Sequence, residues 1–598
     1  MTGNRRVGVY FCSFGVNEPE AVDTAAMVAY AKQLPDVVFV RDLGETPRLE
    51  RAGLSQEFRK HSLTHLVIAG DTPGLLREIF CGAFSAAGAS PANIRTASFR
   101  EFGGFEAGSA EKEKAILACA VRQVPYELAA RPAEVAVNPN TLVIGGGIAG
   151  IQASLEIANA GYRVYLVEKA PTIGGHMAMF DKTFPTLDCA ACILAPKMVE
   201  VGQHPKIELM TFSEVEGVSG VPGDYKVRIL RKARYVNPAV CTGCGTCAEK
   251  CPGRAPSELD ARVSMRTSIY MPFPQAVPDK FLIDRESCIY LRNKKCGICK
   301  KRCPNGAINF EDQDVEVEVN VGNIIVATGF EPFDAKRMEQ FGYGKFPNVL
   351  TSLEFERFLN ASGPTDGHIA MRSRDKKGNW VFPPDPQTPK SLAILHCIGS
   401  RDRHYNRYCS RVCCMYSLKF AHLAREKLPA ATVTEYYIDM RAFGKGYEEF
   451  YDRIKGEGVR MIRGRSAKIR ETDGALVLRS EDIQGGQLLE EKVDMVILSV
   501  ALVAAPDAGK LAEMLGLSRS SDGWFNELNF HTDSVGTRKG CIVVAGACQG
   551  PRDIPDTVAH ASAAAARVLG SLATGKAPGS VGDLSVEDVL LRAQSLPA

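Results

Sequence analysis

Cys241, Cys244, Cys247 and Cys251 stand in the spacing C-x2-C-x2-C-x3-C-P. A short turn of this kind presents three thiolates to three corners of a cubane, and the fourth cysteine reaches a second cluster. A second run, Cys288, Cys296, Cys299 and Cys303, closes with the same C-x2-C-x3-C-P, but its first gap is seven residues, so IYLRNKK bulges out. By the crossing rule, Cys241, Cys244, Cys247 and Cys303 are expected to hold one 4Fe–4S cluster, and Cys251, Cys288, Cys296 and Cys299 the other. A pair of zinc sites is the alternative, and two runs each ending in Cys-Pro weigh heavily against it. Arg292, Lys294, Lys295, Lys300, Lys301 and Arg302 crowd around one cluster. They would raise its potential and offer a docking patch to an acidic redox partner; a merely solvated loop is the equal alternative.

A third group, Cys397, Cys409, Cys413 and Cys414, has the spacing C-x11-C-x3-C-C, between the apolar run SLAILHC and the helix-like CCMYSLKFAHLA. Four thiolates converging on one helix N-terminus suit a third 4Fe–4S cluster, whose negative charge the helix dipole favours. A structural zinc is the alternative. Elsewhere NTLVIGGGIAGIQASLEIANAGYRVYLVEK reads as strand, glycine turn, helix and strand, with Gly145, Gly147 and Gly150 in G-x-G-x-x-G and Glu168 closing the second strand. The turn would seat a pyrophosphate on the helix N-terminus, and Glu168 would hydrogen-bond a ribose.

The elements that position these groups must be many. A chain of 598 residues is too long for one core, so three to five domains are expected. Hydrophobic content of 45% and charged content of 24% describe a globular protein. A net charge of +3 gives no electrostatic case for nucleic acid. No apolar run reaches the roughly 18 residues of a membrane span, and the N-terminus has too short an apolar stretch for a signal peptide. The expectation is therefore a cytoplasmic protein that is not itself in the membrane, in which 19 cysteines serve as metal ligands or redox groups rather than disulfides.

PTIGGH, following Glu168, and NIIVATGF, ending in Ala327-Thr328-Gly329, resemble features of two-dinucleotide flavoproteins of the thioredoxin-reductase type. The resemblance implies FAD, with Lys169, Gly174, Gly175, His176, Ala327, Thr328 and Gly329 beside it. It also implies that GCIVVAGACQGPRDIPDTVAHASAAAA closes over the flavin through Gly546, Ala547 and the helix around Ile554, although Ala547 stands where such proteins usually have an aspartate. The cysteine runs lie between the strand-like YKVRILRKARYV and VEVEVNVGNIIVATG, so a ferredoxin module is inserted in a β-meander of the FAD domain. In these relatives a second glycine loop binds NADPH; here the corresponding loop carries Cys397, Cys409, Cys413 and Cys414. Cys189 and Cys192 occupy the region of a redox pair in disulfide-reducing flavoenzymes and read either as a dithiol or, preferably, as packing near FAD. Lys445 is a candidate to stabilise a flavin anion, with a surface lysine as the alternative.

Taken together, these motifs resemble the A-type subunit of heterodisulfide reductases. The matching stretches include GGGIAGIQASLEIANAGYRVYLVEKAPTIGGHMAMFDKTFPTLDCAACILAPKM, YMPFPQAVP, CIGSRDRHYNRYCSRVCCMYSLKFA, DMRAFGKGYEEFY and GACQGPRDI, over roughly residues 135 to 570. The resemblance implies FAD, 4Fe–4S clusters and the splitting or merging of electron pairs between low- and high-potential carriers. It implies a dimer within a larger complex containing B- and C-type subunits, a hydrogenase or dehydrogenase input module, and ferredoxin as a further partner. Family members often hold another cluster in the N-terminal domain; here Cys12 is kept, Phe14 replaces a cysteine and VIAGDTPG has none, so that cluster is expected to be lost. Nor does any cysteine follow Cys548 to form a terminal ferredoxin domain.

The fold class expected is α/β: a two-dinucleotide-binding flavoprotein core with an inserted ferredoxin domain and an N-terminal α/β domain. Its parts are 1–132 (N-terminal), 133–232 (FAD, first part), 233–312 (ferredoxin), 313–388 (FAD, second part and linker), 389–500 (degenerate second dinucleotide-type domain) and 501–598 (FAD-domain return and C-terminal helices). The activity expected is electron transfer by an FAD and iron–sulfur subunit with three 4Fe–4S clusters. A non-bifurcating relay in a quinone-linked or aryl-CoA-reducing complex, and an NAD(P)H-dependent disulfide reductase, are the alternatives.

Overall fold

The structure is a computed structural model that describes residues 5–13, 22–45, 50–70, 72–102, 110–123, 134–376, 378 and 380–581. Phe14, Asp71 of VIAGDTPG and the C-terminal stretch from residue 582 onward, on which sequence expectations also fell, lie outside the described residues. The chain forms two units, Met1–Ala133 with Val581–Ala598, and Glu134–Ser580.

In the first unit four parallel strands lie in the order Val37–Glu45, Val7–Ser13, His65–Gly70, Ile94–Ser98. Because successive side chains in a strand point to opposite faces, alternation along each strand feeds two cores. Val7, Val9 and Phe11 join Met27, Leu117 and Val121 on one face. Tyr10 and Cys12 join Phe58, Phe80 and Phe84 on the other. Helices on both faces of a parallel sheet are the stable solution for strands apolar on both sides. Cys12 is part of that packing: it is 4% exposed, and its thiol donates to the Ala69 carbonyl at 3.5 Å.

The second unit repeats one plan twice. Its first parallel sheet runs Ile542–Val544, Asn323–Val326, Thr141–Ile144, Val164–Glu168, Ile207–Thr211. An antiparallel meander, Ser213–Val221, Asp224–Arg231 and Val315–Val321, stands beside it. The second parallel sheet runs Val349–Thr351, Met495–Val500, Ser391–Ile398, Thr432–Tyr437, Arg460–Arg463, and has its own meander of Ser466–Thr472, Ala475–Asp482 and Gln487–Val493. In both halves the middle strand leads through a loop into a helix, Ile148–Asn159 in the first and Cys413–Lys427 in the second.

The ferredoxin-type module emerges between two strands that pair with each other, Arg231 facing Val315 across the ladder. Its neck is tied by Asp314, which accepts from the Ala233 amide at 2.8 Å, and by Asp312, which accepts from Arg234 and Tyr235 at 3.1 Å each. An insertion there leaves the host sheet undisturbed. The boundary expected at residue 389 needs correction, since Val349–Thr351 and the helix Ser352–Leu359 already belong to the second half. A three-residue strand has no periodicity long enough to be read. Among the described residues no helix is long and apolar enough to cross a membrane.

Candidate functional site

The glycine turn is built by backbone contact. A Cβ on Gly145 (φ +108°) would lie 2.4 Å from the Ala327 carbonyl oxygen, and one on Gly150 would lie 1.9 Å from that of Gly145. Gly147, the N-cap of the helix, meets nothing within 4 Å on its Cβ side. The free amides of this helix start therefore face a cavity of about 740 Å³. Glu168 lines the cavity and is held by backbone, accepting from Gly146 at 2.6 Å and Ala170 at 2.7 Å. Burial raises its pKa, and those two N–H groups oppose the rise.

Lys169, ion-paired to Asp507 at 2.9 Å, lies on the same wall with Gly174, Gly175 and His176. The His176 ring stacks on Phe330 at 4.5 Å, and burial, with Lys169 adding, lowers its pKa to about 4. Ala327, Thr328 and Gly329 form another wall, and Ala547 and Ile554 close the end. Gly546 and Gly150 stand behind the lining; the Gly546 amide donates to His560 Nδ1 at 2.9 Å. The Thr328 hydroxyl is buried without a partner at the cavity wall. A cavity of about 740 Å³ lined by a helix start with free amides, a carboxylate and an unpaired hydroxyl fits a dinucleotide.

The lining also holds a cation that the sequence reading missed. Lys419 lines the cavity at 3% side-chain exposure, and its ammonium donates to Glu356 at 2.6 Å and to the Lys182 carbonyl at 3.0 Å. The other Glu356 oxygen accepts from the Asp181 amide at 2.7 Å. Lys445, the lysine expected at the flavin, is instead exposed on the segment before Tyr447 and does not line the cavity. The available signal was the spacing of Tyr416, Lys419 and Phe420, which puts all three on one helix face.

Cys189 caps the helix Ala190–Gln203, and its sulfur accepts from the Cys192 amide at 3.2 Å. Cys192 is exposed, and its hydrogen bond to Cys189 pushes its thiol pKa up. Neither lines the cavity. The pair adjoins it through Lys182, which bridges Cys189.

In the inserted module the cysteines sort across the two runs. Burial and then neighbouring Cys241 push the Cys247 thiol up to about 12, with Cys299 and Cys303 adding. Burial and Cys288 push Cys299 up to about 11, with Cys251 and Cys296 adding. Cys251, Cys288, Cys296 and Cys299 line one small cavity of about 20 Å³. Cys244 is exposed, with its sulfur 3.6 Å from the Thr246 hydroxyl. Burial and the nearness of several sulfurs disfavour the thiolate form in Cys247 and Cys299, and a cationic core would offset both. Arg292, Lys294, Lys295, Lys300, Lys301 and Arg302 are all exposed around the bulged loop.

In the third group, Cys397, Cys413 and Cys414 meet at the C-terminal end of the second half's parallel sheet. Cys397 lies at the end of the middle strand at φ +60°, and Cys413 and Cys414 open the helix. Cys397, Cys413 and Cys414 hydrogen-bond among themselves. The hydrogen bond with Cys413 lowers the Cys397 pKa to about 7, and Cys414 is lowered by Cys413 and then His396. The Arg401 guanidinium feels both Cys397 and Cys409. His396 Nδ1, the Ser400 hydroxyl and Arg401 Nη1 are buried here without hydrogen-bonding partners. Among the described residues no three His, Cys, Asp or Glu side chains are drawn together as for a single metal ion. Thiols with an unpaired imidazole and an unpaired guanidinium nitrogen nearby fit a larger anionic group.

A family model for FAD dependent oxidoreductases matches residues 140–181, and one for 4Fe-4S binding domains matches residues 234–257. The chain is 43% identical to the A-type subunit of the H(2):CoB-CoM heterodisulfide,ferredoxin reductase of Methanothermobacter thermautotrophicus, over 94% of this chain and 84% of that one. It is 44% identical to an A-type iron-sulfur subunit of the CoB--CoM heterodisulfide reductase of Methanopyrus kandleri, over 96% and 85%. It is 38% identical to a protein of Archaeoglobus profundus described as like the heterodisulfide reductase A-type subunit, over 96% and 86%. Among solved structures, a thioredoxin reductase of Lactococcus lactis is a distant likeness, 14% identical over 73% of this chain and 100% of that one, with a TM-score of 0.40.

Proposed function

The chain belongs to the family of heterodisulfide reductase A-type subunits and is an FAD and iron–sulfur oxidoreductase; from that premise we propose that it relays electrons between partner subunits through one flavin and three 4Fe–4S clusters. In this reading Cys241, Cys244, Cys247 and Cys303 ligate one cluster, Cys251, Cys288, Cys296 and Cys299 a second, and Cys397, Cys409, Cys413 and Cys414 a third. FAD, when bound, supplies exchange of electrons singly or in pairs, and so joins low- and high-potential carriers by bifurcation or confurcation. The Gly147 helix start holds the pyrophosphate, Glu168 the ribose, and Lys419 sets a positive charge on the cavity wall, where it would favour an anionic reduced ring. Glu356 fixes that ammonium. The working place is the cytoplasm, in a complex with B- and C-type subunits, a hydrogenase or dehydrogenase module and ferredoxin.

The observation that carries this reading is the loop of the second half, where four thiols occupy the position that a glycine turn fills in the first. No pyrophosphate cradle remains there to bring a nicotinamide to the flavin. Anaerobic stopped-flow at the flavin absorbance tests it. Reduction by NADH or NADPH should be negligible, and reduction by a low-potential ferredoxin rapid. Rapid bleaching by NADPH alone, with a charge-transfer band, would overturn the relay and restore a pyridine-nucleotide reductase.

A further inference from the structure

The strand Ser391–Ile398 is buried along nearly its whole length, and Leu392, Ala393, Ile394 and Leu395 are what such a strand requires. His396 breaks the pattern. Its side chain and that of Glu435, on the neighbouring strand Thr432–Tyr437, are both 0% exposed, with Nε2 and Oε2 2.9 Å apart. Glu435 pairs with Ile394 across the parallel ladder, so it lies on the same face as His396, one step diagonal. The opposite ring nitrogen, Nδ1, is buried without a partner in hydrogen-bonding geometry, and Cys414 lies beside the ring. That sulfur also approaches the Asp439 carbonyl, at 3.7 Å.

A buried His–Glu pair is expensive, and an apolar pair of similar volume would be neutral or stabilising in this core. The location explains its presence. We propose that His396 is a positioning residue for the third cluster: its Nδ1–H donates to the Cys414 sulfur while Glu435 holds the ring from behind, setting that cluster's potential higher than thiolate ligation alone would. The inference rests on the third-cluster reading above. The direction of the bond follows from donor inventory. A carboxylate on Nε2 and a thiolate on Nδ1 only accept, so both ring nitrogens then carry hydrogen; if the shared proton sits on Glu435 instead, Nδ1 still carries the remaining one. An N–H directed at a ligating sulfur stabilises the more negative, reduced state and so raises the potential. Groups that hydrogen-bond to a ligand from outside the coordination sphere orient it and tune the metal.

Two variants move the donor without emptying the space. His396→Gln keeps an amide near the Nε2 position, facing Glu435, and offers no N–H to Cys414. His396→Asn, combined with Glu435→Gln so that no buried carboxylate is stranded, keeps an N–H near the Nδ1 position. EPR-monitored redox titration of the purified, cluster-loaded protein should show one of three midpoints shifted to lower potential in His396→Gln, the others unmoved, and recovery in the Asn/Gln protein. Pulsed EPR of the unmutated protein with 15N-histidine should show a nitrogen coupled to one reduced cluster. Unchanged midpoints in both variants, or no such coupling, would overturn the inference and leave the cluster reading intact. About eight irons in the unmutated protein, instead of about twelve for three clusters, would remove the cluster reading and this inference with it.

Discussion

The two halves of the second unit share one plan and differ at one loop. In the first, the strand Thr141–Ile144 reaches the helix Ile148–Asn159 through three glycines; in the second, Ser391–Ile398 reaches Cys413–Lys427 through residues 399–412. The glycine turn recognises an anion with backbone N–H groups, so side chains must be absent and the chain packs against itself at distances no Cβ would tolerate. The cysteine loop uses side chains instead. It needs reach rather than thinness, and it places non-glycine residues in the left-handed region at Cys397, Arg401 and Arg411. Strain of that kind costs of order 1–3 kcal/mol per residue and persists where the surroundings fix it. On the proposed reading, a single helix-start geometry serves two anionic groups according to whether the chain or its sulfurs make the contact.

The largest effect that would sharpen this contrast is expected at Gly150. In Gly150→Ala the new methyl would sit 1.9 Å from the Gly145 carbonyl oxygen, which is backbone and cannot turn aside. The turn must open, and the protein should be isolated without flavin absorbance but with its iron. Retained FAD at wild-type stoichiometry would mean that the turn is not the cradle.

Cys413→Ser is the matching change in the other half. It should lower iron from about twelve to about eight per chain while leaving FAD bound. Removing the thiol does not rebuild a glycine turn, so NADPH should still fail to reduce the flavin. Iron and acid-labile sulfide assays beside a flavin count decide it. Unchanged iron would erase the contrast between the loops.

A third change probes where the halves meet. Lys419→Met leaves Glu356 buried without its partner, and breaking such a pair costs about 3–5 kcal/mol. Adding Glu356→Gln should recover most of that loss, because the stranded charge is gone. Chemical denaturation of both proteins checks the stability. The flavin potential should fall in both, since the cation is absent from both. A potential that recovered with the double variant would show that Glu356, not Lys419, governs the ring.

What was legible in the sequence was local. Glycine and cysteine spacings are read within a dozen residues, and the segments flanking the ferredoxin-type module announced an insertion because each is strand-like on its own. Lys419 was hidden because its partner Glu356 lies 63 residues away, and nothing in YSLKFA separates a cavity lysine from a surface one. His396 and Glu435, 39 residues apart, meet only once two strands pair in register. Lys445 is exposed in a loop, and a loop lysine has no element to aim it. Cys12 is packed as a small buried hydrophobe.

The smallest expected effect separates the two histidines nearest the two sites, which are pushed in opposite directions. His396 is raised despite burial, by the Cys414 sulfur and the Glu435 carboxylate beside it. His176 is lowered from 6.5 to about 4, by burial and then by Lys169. The folded form therefore leaves His176 without a proton between those values, whereas the unfolded chain binds one. Its contribution is fully present above pH 6.5 and is lost progressively as the pH falls towards 4. At pH 5 the loss is at most about 2 kcal/mol, and less to the extent that the ring faces an open cavity. His176→Gln has nothing to protonate, so the stability difference between variant and wild type should shift in the variant's favour from pH 7 to pH 5. Urea denaturation at the two pH values, with and without added FAD, measures that double difference. A difference that does not change with pH would show that His176 keeps ordinary access to water, and that the glycine half is wetter around its flavin than the burial of this ring implies.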